Sequence, residues 1–452
     1  MVQELEIQSG RLTVNKKTAV VDWIDYVDPS ITYDEFFSKY LAENKPCIFK
    51  SSITENWSCK RQWNLDGAPD FDVLDISFGD CVVPIADCKT RYYNSQSKDD
   101  MRMKDYLNYW MDYAKNNYPD SMPLLYLKDW HCQKLFPNAP MYTVSEYFAS
   151  DWLNEYYMAH PDLNDDYRFV YMGPKGTWTP LHADIFGSYS WSANIVGEKR
   201  WLLFPPGQEE FLRDIHGQLI YDATSKELEN YAVYKAYDKR AIKYIDVIQK
   251  EGEIIFVPSG WHHQVWNKKD TVSLNHNWIN GCNIMDVWHG LKKELNSVMK
   301  EVSDCKEMSN WAEQCQLILK STYGMDYNLF FDLLKFIAKR RLSMVLEKQN
   351  VITFNRYKLG LNHCIFDLHS IKLTLIDFIN DMEEKSIYYL ICEKQQAHKL
   401  LNKILLFNQF LLAWQVPLLG YHVSQSLLIN YQQLTLLQRL DSTQRDFVSI
   451  IE

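Results

Sequence analysis

His182 and Asp184 stand two residues apart in the stretch TWTPLHADIFGSYS. On an extended strand, side chains two apart project from the same face, so an imidazole and a carboxylate here could grip one divalent ion. A further histidine from elsewhere would complete a two-histidine, one-carboxylate set. That set leaves three positions open on Fe(II), two for a chelating co-substrate and one for O2. An HxD triplet alone fits a surface turn equally well, so its neighbours have to decide.

Lys199 follows Asp184 by fifteen residues and opens KRWLLFPP, a strand apolar enough to be buried. Lys199, Trp201 and Leu203 share one face of it. An ammonium aimed into such a core is costly unless an anion meets it, and the distal carboxylate of 2-oxoglutarate is an anion of suitable size. The plainer alternative is a lysine at a strand mouth with its head in water. Thr179, three residues before His182, offers a hydroxyl to the same carboxylate. The other histidine comes from GEIIFVPSGWHHQV, where His262 and His263 are adjacent. Neighbouring strand residues face opposite ways, so one of the two reaches the ion, and the Pro-Ser-Gly turn before them leaves the phase open.

The elements that must position these groups are short strands between turns. RFVYMG, SYSWSANIVG, KRWLLFPP, GEIIFVP, HHQVWN and TVSLNHNWI follow one another from Arg168, interrupted by a polar, charged insert after Pro206. Two ligand-bearing strands far apart in sequence fit a double-stranded β-helix, the jelly-roll variant found in cupins. Upstream, ITYDEFFSKYLAE predicts a helix capped by Thr32, then a strand NKPCIFK. Asp72–Ile85 reads as short strands with a turn at Gly79 and Asp80, Asp105–Lys115 as an aromatic amphipathic helix, and Met122–Trp130 as a strand. Beyond Asn283 apolar residues recur at helical spacing, for example at 284, 287, 288, 291, 295 and 298. The chain is thus expected to be α+β, a jelly-roll barrel with flanking helices and a C-terminal α-helical domain. The expected division is 1–150 as a supporting helix and strand region, 151–290 as the catalytic core and 291–452 as the helical domain.

Composition narrows the setting. The 452 residues are 46% hydrophobic and 14% aromatic, as a folded protein requires, with a net charge of −10 that disfavours phosphate-driven nucleic-acid binding. The ten cysteines show no CxxC pair, which predicts reduced thiols in the cytoplasm or nucleus rather than a disulfide or zinc framework. No apolar run is long enough to span a membrane, and MVQELEIQSGRLTV has no secretory pattern.

Together, HAD, the lysine of KRWLLFPP, GEIIFVPSGWHH and SLNHNW resemble the JmjC-domain oxygenases that depend on 2-oxoglutarate and Fe(II). The resemblance spans roughly residues 20–290. It implies a triad of His182, Asp184 and His263, with Lys199 and Thr179 on the distal carboxylate of 2-oxoglutarate. It also implies that Tyr126 reaches that carboxylate and that Asn277 lies near the metal-chelating end. Ser192 stands where many relatives carry asparagine, and Ser190 shares its face. The resemblance further implies lysyl hydroxylation of a protein, with the eukaryotic translation termination (release) factor as the substrate. A JmjC histone lysine demethylase and a non-catalytic JmjC-like interaction module are the alternatives; the intact triad and Lys199 speak against the second. The absence of a zinc-finger pattern and the acidic charge speak against the first.

Overall fold

Alternating polar and apolar residues in the strands from Arg168 onward need two different surroundings, and two facing sheets supply them. The computed structural model describes residues 2–8, 22–139, 141–163, 167–385 and 394–413. Of the segments read from the sequence, 9–21 and the end of the helical region beyond Ala413 lie outside the described residues. We number the strands of the two main sheets β1 to β13 and the longer helices α1 to α8.

The larger sheet takes nine strands. Its first five are β1 (Asp25–Val27), β2 (Cys47–Phe49), β3 (Val82–Tyr92), β4 (Ser95–Arg102) and β5 (Leu125–Trp130). After β6 (Arg168–Gly173), the strand β7 (Trp178–His182) belongs to the smaller sheet, and β8 (Tyr189–Val196) returns to the larger. Next come β9 (Lys199–Phe204) and β10 (Ile245–Gln249) in the smaller sheet, β11 (Ile254–Val257) in the larger, β12 (His262–Asn267) in the smaller and β13 (Thr271–Trp278) in the larger. The strand orders are β1-β2-β11-β8-β13-β6-β5-β3-β4 and β7-β12-β9-β10. Apart from the parallel pair β1 and β2, the pairings are antiparallel, and alternation between sheets gives the expected jelly roll.

Register sorts the side chains. Ser190, Ser192 and Asn194 of β8 lie opposite Asn277, Asn275 and Ser273 of β13, while Ser190 and Ser192 also oppose Val257 and Ile255 of β11. Directly opposed residues share a face. This face looks inward: Ile48, Ile255 and Val257 form one core with Trp201, Leu203, Ile245, Val247 and Val265 of the smaller sheet. The other face of the larger sheet carries Trp191, Phe256 and Trp278. Against it pack Phe36 and Phe148, with Phe148 and Trp191 stacked 5.5 Å apart. The barrel interior is therefore apolar toward β2 and β11 and polar toward β8 and β13.

The predicted helix at Thr32 is present: Thr32 and Glu35 make a capping box at Tyr33–Phe36, and a π turn continues to Leu41. One reading fails. Residues expected to be strands before Gly79 form helix α1 (Phe71–Phe78), whose cap is Asp70, with its side chain accepting from the Val73 amide at 3.0 Å. The aromatic helix is α2 (Met103–Lys115), and α3 (Trp152–Ala159) leads into the barrel. C-terminal to the barrel lie α4 (Ile284–Glu301), α5 (Trp311–Tyr323), α6 (Tyr327–Glu347), α7 (Leu361–Lys385) and α8 (Lys394–Ala413). The polar insert between Pro206 and Ile245 contributes Leu212, Ile220, Leu228 and Ile242 to a small core on the outside of β7 and β9. Packing divides the chain into a unit of residues 1–406 and a second of residues 407–452. No helix among the described residues is long and apolar enough to cross a membrane.

Candidate functional site

The two predicted ligand strands are neighbours. β7 pairs with β12, and His182 lies directly opposite His263. A bulge between Thr179 and His182 absorbs one residue, so Thr179, opposite Val265, falls on the same inward face as His182. Pairing with β9 fixes the phase that the sequence left open. His263 opposes Leu203 of the inner core, and His262 opposes Phe204 of the outer one. His263 thus points into the barrel. His262 points away from it, 3.9 Å from Glu209, and burial with Arg213 nearby pushes its imidazole down to about 4.

Asp184 is not on the strand. β7 ends at His182, and Asp184 begins a short 3-10 turn, Ile185–Gly187. Its placement comes from a hydrogen bond instead, donated by the Ser190 hydroxyl to Oδ2 at 2.6 Å. Ligand atoms of His182, Asp184 and His263 all lie within 4.8 Å of one another, and among the described residues they form the one such cluster. Three ligands each about 2.1 Å from a shared ion stand roughly 3–3.6 Å apart, so side-chain shifts of up to about an ångström bring all three onto one ion.

The surroundings fit a metal. Nδ1 of His182 faces the Pro180 carbonyl at 2.8 Å, and Nδ1 of His263 faces the Trp261 carbonyl at 3.0 Å. Each ring then donates from Nδ1 and leaves Nε2 as the ligand atom, the tautomer a metal needs. Burial, with His263 beside it at 4.3 Å between ring centroids, pushes His182 down to about 3 and keeps it neutral.

Lys199 is 2% exposed, and its Nζ donates to the Ser273 hydroxyl at 2.7 Å and sits 5.9 Å over the Tyr171 ring. Burial, then the charge of Lys128, pushes its ammonium down to about 7. The partners this lysine finds in the protein are neutral, so the donor set fits an incoming carboxylate. Tyr126 is buried close to Asn267, the residue opposite Lys199 on β12. Asn277 donates to the Ser188 hydroxyl at 2.9 Å and so braces the loop after Asp184. Ser192 donates to Asn275 at 3.1 Å on the inner face.

Sequence reading missed Lys128, which is 8% exposed with Nζ 3.3 Å from the Gln96 side-chain oxygen. A signal existed: Lys128 has the parity of Tyr126, and whichever faces inward takes the other with it. Asp129, at φ +60°, accepts from the Tyr171 hydroxyl at 2.5 Å and pairs with Lys98.

A cupin-like domain matches residues 33–283 of the chain. The 2-oxoglutarate and iron-dependent oxygenase JMJD4 of Gallus gallus is 48% identical over 360 residues, covering 78% of this chain and 84% of the relative. The chain belongs to the cupin-like JmjC oxygenases. The JMJD4 oxygenase of Homo sapiens is 44% identical over 352 residues, covering 77% of this chain and 83% of its own. A protein named arginine-specific demethylase JMJ20, from Arabidopsis thaliana, is 40% identical over 317 residues, 67% of each chain. As a JmjC oxygenase the protein uses Fe(II), with 2-oxoglutarate and O2 as co-substrates.

Proposed function

We propose that this oxygenase hydroxylates a lysine side chain of a protein, the eukaryotic translation release factor being the first candidate, and that it works in the cytoplasm. The observation that carries the catalytic reading is the meeting of His182, Asp184 and His263, with the buried Lys199 on the same inward face of the smaller sheet. In this reading those three hold the iron. Lys199, Tyr126 and Thr179 hold the distal carboxylate of 2-oxoglutarate, and Asn277 and Ser192 line its metal end. When bound, iron and 2-oxoglutarate supply oxidation of a substrate C–H bond at the expense of O2.

The chain's own residues do the rest. The Ser190 hydroxyl fixes the Asp184 carboxylate, and the Pro180 and Trp261 carbonyls fix the imidazoles. Fixed groups lose little freedom when the substrate arrives, which is where positioning lowers a barrier. Trp201, 5.5 Å from the His263 ring, and Leu203 close the interior against water behind the metal end.

A second reading has support, because the Arabidopsis relative is named an arginine-specific demethylase. Oxidation of an N-methyl group and of a lysine carbon need the same site, and the product separates them. Mass spectrometry of the release factor from cells with and without this protein should show one added oxygen on a lysine. Loss of a methyl group from an arginine would favour the second reading. Asp184→Ala should abolish succinate formation; equal output from that variant would falsify the enzymatic assignment of the triad.

A further inference from the structure

We propose that Tyr323 and Gly324, at the end of α5, are positioning residues for Asp184, acting through Phe186. The inference rests on the reading of Asp184 as a metal ligand and gives the C-terminal helices a part in the site.

The turn after Asp184 is in a conformation it would not hold alone. Phe186 sits at φ +60° and ψ 3° while 1% exposed. A residue with a Cβ is strained in the left-handed region. Such a conformation persists where the surroundings fix it.

What fixes it comes from α4 and α5. The Phe186 ring fills the space that a side chain on Gly324 would occupy: a Cβ there would stand 2.5 Å from its ring edge. The next residue, Gly187, would place a Cβ 2.6 Å from the Tyr323 hydroxyl oxygen. That hydroxyl donates to the Val287 carbonyl of α4 at 3.0 Å. One turn along α4, Gly290 leaves room for it, since a Cβ there would approach to 2.2 Å. Gly187, Gly290 and Gly324 therefore form a socket around two aromatic side chains, one of them in the metal-loop turn.

The sheet grips the same turn from its other side. The Ser190 hydroxyl holds the Asp184 carboxylate, and Asn277 holds Ser188. Within the turn, the Gly187 amide donates to the Asp184 carbonyl at 3.3 Å and the Ser188 amide to the Ile185 carbonyl at 3.1 Å. A displacement of Phe186 or Gly187 is passed directly to Asp184. Groups that orient a metal ligand typically matter by roughly 10- to 100-fold in metal affinity.

Gly290→Ala separates positioning from general stability. Alanine favours the helix over glycine, so α4 gains intrinsically while the methyl group pushes Tyr323 toward Gly187. Co(II) binding to the full chain, followed by its visible absorption, is the readout, with circular dichroism to show that helix content is kept. Gly290→Ala should bind Co(II) at least roughly tenfold more weakly than wild type. Gly290→Ala with Tyr323→Phe, which removes the crowding oxygen, should recover most of the loss. If folding is disturbed, Phe186→Gly tests the same contact from the loop: glycine takes φ +60° freely but leaves the socket unfilled, so affinity should fall. Asp184→Ala is the control. If it binds Co(II) like wild type, the metal site and this inference both fall. If it loses Co(II) while Gly290→Ala or a folded Phe186→Gly keeps wild-type affinity, the inference alone is overturned.

Discussion

Lys199 does its work by being uncomfortable. Burial and the nearby Lys128 push its ammonium down to about 7. A carboxylate arriving beside it restores the charge and therefore draws in a proton. Above its free value the amine must be protonated on binding, so affinity for 2-oxoglutarate should fall about tenfold per pH unit above pH ~7. Calorimetry in two buffers of different ionisation enthalpy, with Mn(II) in place of iron, should show net proton uptake at slightly alkaline pH. Lys199→Arg should remove that uptake, because a guanidinium stays charged. Equal proton uptake by the arginine variant would show that some other group titrates. The same depression has a consequence for the free chain: its stability from this residue rises with pH between about 7 and the unfolded value near 10.4, where the unfolded state binds more protons. The burial of Lys199 was legible in the sequence because a lysine opening an apolar strand is conspicuous. The choice between His262 and His263 was not legible from the residues themselves, since it depends on which residue of β9 each one faces.

At the scale of elements, one side chain links the two sheets at the start of β9, opposite Lys199. Gln249 is fully buried, accepts from the Trp201 indole at 2.9 Å, and donates to the Ser192 carbonyl at 2.7 Å and the Glu253 carbonyl at 2.9 Å. It thus ties β10 to β9 and reaches across to β8. Gln249→Met keeps the volume but removes a partner from the Trp201 N–H and from the Ser192 and Glu253 carbonyls, of which Glu253 still accepts from the Asn194 amide at 3.0 Å; a buried group left unsatisfied costs about 1–3 kcal/mol. Urea denaturation should show a loss of about 2–4 kcal/mol, allowing for partial relaxation. A loss no larger than that of an exposed substitution would mean that water or a backbone shift replaces the bonds. The strands from Arg168 onward were legible because turn residues punctuate them and their apolar positions alternate. Helix α1 was not, since eight residues give a weak period and the deciding signal was the Asp70 cap. Asp184 shows the same limit more sharply. Two-residue spacing to His182 implied a shared strand, yet the strand stops first and a serine hydroxyl with a brace from α4 and α5 does the positioning.

Across the whole molecule, the barrel and the C-terminal helices share a charge cluster as well as a surface. Arg341 of α6 donates two bonds to Glu155 of α3, at 2.7 and 2.8 Å, and one to Asp367 of α7 at 2.6 Å; all three side chains are at most 1% exposed. The Trp152 indole, at 3.4 Å, also donates to Asp367. Burial opposes the ionisation of Asp367, but Arg341 and His363 together outweigh it and hold the carboxyl below its ordinary value. In wild type, then, Asp367 contributes stability that is present above about 3.9, the unfolded value, and is lost as pH falls toward its lower folded value. Arg341→Met reverses the sign. Burial, now opposed only by His363 at 3.6 Å, would push Asp367 up, so the folded state would keep a proton that the unfolded chain releases, and stability would fall as pH rises above about 4. At neutral pH the variant should be about 3–5 kcal/mol less stable, since an uncompensated charge remains buried. The gap from wild type should narrow on acidification to about pH 5. Denaturant midpoints at both pH values check this. A gap that stays constant would mean that the cluster relaxes to admit water when the guanidinium is removed. Because α6 and α7 lie next to the helices that seat Phe186, Co(II) affinity measured on the same variant shows whether the cluster and the metal loop are coupled. With the socket intact, the affinity should be unchanged wherever Arg341→Met is still folded.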